Sequence, residues 1–229
     1  VDHKLHLRCE ITHPDIVAIF EHHSRSPLTA MMSVMDHAPG DRQSPDIEAY
    51  RKRYQKNPNL APEEVEAHIQ GLIEGSKVYG PPNRRALAEL ARAKGIPLAT
   101  HDDARPEHVA EAVAMGAVLT EFPTTMEAAE AAWAHHLPTL MGSPNVIRGG
   151  SHSGNVAAGE LARAGLLDMF ASDYIPASLL QAALRLTADD FGLPLPRAVA
   201  MVTAAPAAAL GLAGGGRLEV GRRADLVEV

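Results

Sequence analysis

Short apolar runs alternate along this chain with longer stretches in which apolar residues recur every three or four positions. These are the periods of strand and helix respectively. Six runs read as strands: Leu5–Glu10, Ala30–Met35, Ile96–Thr100, Ala117–Thr120, Pro138–Met141 and Leu167–Ala171. Within the first, Leu5, Leu7 and Cys9 alternate with His6, Arg8 and Glu10, so one face is apolar and the other polar.

Helical spacing fills the intervals. Pro14–His23 has Ile16, Val17, Ile19 and Phe20 on one side, and Pro62–Val78 has Val65, Ile69, Leu72 and Ile73. A shorter helix is expected over Ile47–Gln55 within the polar stretch 38–61. Asn83 can cap a further helix ending at Gly95, and Pro106–Met115 reads as another. Thr124 and Glu127 have capping-box spacing and open an Ala-rich helix to His136. Asn155–Ala164, Pro176–Phe191 and Pro194–Leu210 complete the set. Regular βα alternation predicts an α/β fold with a parallel sheet and right-handed crossovers, as in part of a (β/α) barrel. From Gly214 onward the Gly-rich pattern suggests two short β pieces around a turn. The expected division is therefore a βα domain over 1–213 and a different structural unit over 214–229.

Composition narrows the partners. Of 229 residues 46% are hydrophobic, enough for a substantial core, and the formal net charge is −7. One Trp, four Tyr and four Phe make a base-stacking surface improbable, and the negative balance disfavours nucleic acid and anionic membrane. No apolar run approaches the roughly 20 residues of a membrane span. A single cysteine, Cys9, excludes an internal disulfide and suits a reducing cytoplasm. The twelve histidines outnumber all the aromatics.

Candidate chemistry lies where strands end. Glu10, His37, His101, Glu121 and Asp173 each stand at or just beyond the close of a predicted strand. In a (β/α) barrel those ends open on the face that carries the active site. Carboxylate and imidazole without thiolate suit Zn²⁺, Mn²⁺ or another divalent ion in hydrolysis. A structural reading stands beside this one: a lone strand-end histidine is often simply hydrogen-bonded, and Asp102, Asp103 and Asp173 could be helix caps. The stretch Asn145–Asn155 gathers glycines, hydroxyls, Arg148 and His152 ahead of a helix, which fits either a phosphate cradle or an ordinary loop. Arg8 and Arg42 could add positive charge. Cys9 and the methionines 31, 32, 35 and 201 read as core, and the histidines on helices as surface groups.

Several segments carry a resemblance: Leu-His-Leu-Arg-Cys-Glu (5–10), Ser-Val-Met-Asp-His-Ala-Pro-Gly-Asp-Arg-Gln (33–43), Ala-Thr-His-Asp-Asp-Ala (99–104) and Glu-Phe-Pro-Thr-Thr (121–125). Met-Gly-Ser-Pro-Asn-Val-Ile-Arg-Gly-Gly-Ser-His-Ser-Gly-Asn (141–155), Ala-Ser-Asp-Tyr (171–174) and Gly-Arg-Leu-Glu-Val-Gly-Arg-Arg-Ala-Asp-Leu-Val (216–227) continue it. Together they resemble the amidohydrolase superfamily, and within it a subgroup of phosphonate catabolism. The resemblance implies a distorted (β/α)8 barrel with one or two divalent ions. It makes 1–213 that barrel, N-terminally incomplete, and 214–229 the start of the C-terminal part of a small β domain. It places Glu10 at a bridging ligand position, His101 at a later histidine position, and Asp173 as last-strand ligand and proton acceptor. His37 becomes a ligand or substrate contact, while Glu121 stands where many members have histidine.

The implied substrate is a small phosphorylated sugar phosphonate, contacted by Arg8, Arg42, Arg148, His152 and Asn155. Its triphosphate would lose pyrophosphate. Deacetylation, deamination and an inactive scaffold are the alternatives, and a homodimer is an assembly open to it. No His-x-His occurs in the chain, so the six strands are expected to match barrel strands three to eight. On that reading the polypeptide alone binds metal weakly and turns over little.

Overall fold

The alternation read in the first strand decides which side of the sheet meets the helices. The structure, a computed structural model, describes residues 3–57, 59–151 and 154–226. It divides into two compact units, Val1–Ala117 and Val118–Val229. In the first, β1 (Leu5–Glu10), β2 (Thr29–Met35) and β3 (Leu98–His101) run parallel. The register pairs Cys9 with Val34, Arg8 with Ser33 and Glu10 with Met35, and on β3 it pairs Ser33 with Ala99. Paired residues share a face. One face therefore carries Cys9, Met32, Val34 and Leu98, which pack with Ile16, Phe20, Leu87, Ala88 and Ala91 from the covering helices. The other carries Arg8, Glu10, Ser33 and His101. Burial pushes the Cys9 thiol up to about 12, so it is an inert core group, as expected.

Those helices are α1 (Ile16–His23) and α3 (Pro62–Lys94), with α2 (Ile47–Gln55) and α4 (Pro106–Met115) completing the unit. α2 packs on the first half of α3 through Tyr50, Val65 and Ile69. The two helices expected over 62–78 and 83–95 are a single 33-residue helix that continues through Pro81 and Pro82. Tandem prolines deny partners to the carbonyls of Lys77 and Val78. Both residues are exposed, so water can serve those carbonyls. The opposite side of the same stretch is tightly packed: a Cβ on Gly75 would stand 3.0 Å from the Thr12 carbonyl oxygen. Asn83 is accordingly no cap. It is buried in mid-helix, and its amide donates to the carbonyls of Ile11 and His13, both at 2.9 Å. The true end is as expected, with Gly95 left-handed at φ 64°.

In the second unit β4 (Leu119–Glu121), β5 (Thr139–Gly142) and β6 (Met169–Ala171) are again parallel. Met141, Leu161, Phe170, Leu186 and Met201 centre its core. The cap of α5 (Met126–Ala134) is Thr125 rather than Thr124: its hydroxyl accepts from Ala128 N at 3.1 Å. The segment read as loop before Asn155 holds a helix, α6 (Ser143–Arg148). Pro144 suits its first turn, and Gly149 closes it at φ 82°. The next helix, α7 (Ala158–Arg163), begins after Asn155, and its first N–H is taken by the Asn145 side chain at 2.9 Å.

The last two expected helices are shorter or broken. α8 spans Ser178–Arg185, and Thr187 turns its hydroxyl onto the Leu184 carbonyl at 2.7 Å. α9 (Leu195–Ala200) and α10 (Ala204–Ala209) replace one continuous helix, because Pro206 could not follow the Val202 carbonyl in an unbroken ladder. Among the described residues 214–226 there are turns and no strand. A lone two-stranded hairpin is marginal in water without a sheet to join.

Replacing Asn83 by Ala should lower stability by about 1–3 kcal/mol, since two carbonyls held by one buried amide lose their donor. Chemical denaturation reads this directly, and an unchanged midpoint would show that the tie contributes nothing.

Candidate metal centre

Because β1, β2 and β3 are parallel and in register, their carboxyl ends deliver Glu10, His37 and His101 to one edge of the first unit. Glu10 accepts from His37 Nδ1 at 2.6 Å through one oxygen, and from His37 N (3.2 Å) and Thr12 Oγ1 (3.3 Å) through the other. That fixes the His37 ring and turns Nε2 inward. Nε2 of His37 and Nε2 of His101 each lie 3.5 Å from Asp102 Oδ2. The rings meet edge to face with centroids 5.7 Å apart. Donor atoms of His37, His101 and Asp102 all fall within 4.8 Å of one another.

Asp102 is the residue that strand-end reasoning passed over as a cap. It is buried, its φ is +55°, and Oδ2 finds no hydrogen-bond partner. The cap position of α4 belongs to Arg105 instead. A buried carboxylate oxygen without a donor is costly unless a cation completes it. Two imidazoles and a carboxylate fit Zn²⁺ or Mn²⁺, so the residues present suit the divalent ion that the sequence implied. Its signal in the sequence was the Thr-His-Asp-Asp run itself, in which two acidic residues follow a strand-end histidine.

The other expected residues fall as follows. Glu10 lies one step outside the three-donor group, holding His37. Arg8 donates to His101 Nε2 at 3.3 Å and to Met35 Sδ at 3.1 Å, so its positive charge flanks the group. Arg42, expected at the substrate, is instead buried and bonded within the protein. Its Nη1 donates to Asp103 at 2.7 Å and to the His101 carbonyl at 3.3 Å. Asp103 also accepts from Thr100 Oγ1 at 2.5 Å.

In the second unit, Glu121 ends β4 and is buried, and Asp173 follows β6 with φ +51°. A Cβ on Gly142 would stand 3.5 Å from Asp173 Oδ2 and 3.2 Å from the Phe122 ring, so glycine leaves room for that carboxylate. Arg148 closes α6 and donates to the Tyr174 hydroxyl at 3.0 Å. Asn155 lies in the bend before α7, and His152 falls outside the described residues.

Fold and donor set together define a class: parallel βα units whose strand ends carry imidazole and carboxylate. Residues 148–228 match the amidohydrolase family, which bears out the resemblance read from the sequence. Over 228 residues the chain is 49% identical to the alpha-D-ribose 1-methylphosphonate 5-triphosphate diphosphatase of Escherichia coli (strain K12). That alignment takes in 99% of this chain and 60% of the relative's length. A crystal structure of an uncharacterized protein superimposes on 98% of the chain, and on 60% of its own, with a TM-score of 0.58 at 15% identity. At that identity the likeness concerns fold alone, and it supports the α/β barrel class.

Without a bound cation, two carboxylates press on His37: Asp102 first, as an ion pair at 3.5 Å, and then Glu10 through its hydrogen bond. They raise its pKa from 6.5 to about 9. A group whose folded pKa is raised contributes stability that is complete below its unfolded value and lost as pH climbs through the folded one. Chelator-treated protein should therefore lose stability between about pH 6.5 and 9. Asp102→Asn should move the loss to lower pH. NMR titration of the His37 ring checks the cause, and a ring already neutral at pH 7 would contradict it.

Proposed function

We propose that the protein carrying this chain is a metal-dependent hydrolase of phosphonate catabolism. It would cleave α-D-ribose 1-methylphosphonate 5-triphosphate to the 5-phosphate and pyrophosphate. The 49% identity to a diphosphatase of that description, running through every segment that builds the three-donor group, carries the reading. The chain spans about 60% of that relative's length, so the activity is assigned to the whole protein rather than to these residues alone.

His37, His101 and Asp102 hold the cation, and Glu10 keeps the His37 ring turned so that Nε2 is offered. The resemblance adds Glu10 and Asp173 as further ligands. A divalent ion supplies Lewis-acid polarisation of a phosphoryl oxygen and lowers the pKa of water. Water attacks a phosphorus of the triphosphate, one P–O bond forms, and the bridging P–O bond breaks with its electrons leaving on pyrophosphate. Asp173 takes the proton released by that water. Arg8, beside His101, offsets negative charge on the substrate, and Arg148, His152 and Asn155 are assigned its remaining phosphoryl or phosphonate oxygens. Arginine suits this better than lysine because its planar fork matches paired oxygens. The sole cysteine, buried and inert, is in keeping with a cytoplasmic enzyme, and among the described residues no helix is long and apolar enough to cross a membrane.

In the full-length protein Asp173→Asn should reduce pyrophosphate release by about 10²–10⁴-fold, the usual contribution of a positioned base, while circular dichroism and the melting temperature stay unchanged. Undiminished turnover in that variant would remove Asp173 from the reaction. Release of acetate or ammonia from amide or amino substrates, with no pyrophosphate from the triphosphate, would move the protein to another hydrolase reaction.

A further inference from the structure

We propose that Arg42 is a positioning residue for the His37–His101–Asp102 group, its buried guanidinium fixing the backbone turn 101–103 that presents two of the three donors. The inference rests on the metal reading above. Asp102 Oδ2 has no hydrogen bond of its own, so its aim is set by the backbone on either side of it. That backbone is in the left-handed region, which a non-glycine residue holds only when its surroundings impose it.

Arg42 imposes it from both flanks. One nitrogen bonds the carbonyl of the residue before Asp102 and the carboxylate of the residue after it. Thr100 grips the second oxygen of Asp103, so residues 100, 101 and 103 are all tied around position 102. The side chain is 7% exposed, and Arg42 itself has φ +47°, so the 38–46 loop is bent to bring it there. Its other terminal nitrogen lies 3.7 Å from Glu111, whose carboxylate also pairs with Arg84. A cation so enclosed is not presented to substrate. It is placed as an outer support for donors, and such supports are commonly worth 10–100-fold in metal affinity.

The test is zinc affinity of the full-length protein, measured by competition with a chromophoric chelator, with melting temperature followed in parallel. Arg42→Met should weaken zinc binding at least about tenfold. Arg84→Met, which takes away the other partner of Glu111, should leave affinity within about twofold of the unaltered protein, since this support lies outside the 101–103 turn. Because Arg42→Met strands the Asp103 charge and endangers folding, Arg42→Met with Asp103→Asn removes that charge while keeping an oxygen for Thr100. This pair should fold and still bind zinc weakly. Arg42→Lys restores a positive charge without the fork, and should recover melting temperature more than affinity. Wild-type affinity in any folded Arg42 variant, or equal loss in Arg84→Met, overturns the proposal. Failure of the unaltered full-length protein to take up zinc at all overturns the metal reading itself, and the two failures are thus distinct.

Discussion

A strand that must bury one face against helices is free to be polar only on the other, and everything in the first unit follows from that constraint. Leu7, Cys9, Met32, Val34 and Leu98 satisfy α1 and α3, so Arg8, Glu10, Ser33 and His101 have to emerge on the opposite side. Parallel pairing then aligns the strand ends. Chemistry-bearing groups separated by about ninety positions in the chain become neighbours because the register permits a single arrangement. A slip of one residue would exchange Glu10 for Cys9 and take away the carboxylate that orients the His37 ring.

Concentrating charge in this way is expensive, and the surrounding structure is organised around making it tolerable. Glu10 is satisfied by His37 and Thr12, Asp103 by Arg42 and Thr100, and Glu111 by Arg84. Beside these three, the Asp102 carboxylate keeps an oxygen without a donor, facing two imidazoles. Buried polar networks are stabilising when complete and costly when one member is left open. An open member between two imidazoles has the donor set that a divalent cation would complete.

Helix α3 shows how the same unit meets a local conflict. Tandem proline and two buried glycines argue for a break near residue 80, and on propensity alone they are right. The helix runs through because its prolines face water while Gly75, Gly80 and Asn83 fit closely against the loops after β1. Tertiary packing outweighs the lost backbone bonds. In the second unit the balance tips the other way: residues 201–203 form turns between α9 and α10, and Pro206 falls in the first turn of α10, where its missing N–H costs no bond.

The amino-acid sequence by itself determined the βα alternation, the inward and outward faces of the first strand, and the strand-end positions of Glu10, His37, His101 and Asp173. Those depend on periods of two and 3.6 residues, which are local properties. Only the tertiary structure decided that Asp102 stands between two imidazoles and does not cap α4, that Arg42 is buried against the 101–103 turn, and that Asn83 is a mid-helix tie. Each of these turns on which group lies beside it from a distant part of the chain: Arg42 reaches Asp103 across 61 residues and Asn83 reaches Ile11 across 72. Periodicity fixes where a side chain points, but the partner it finds there is settled by how the elements pack.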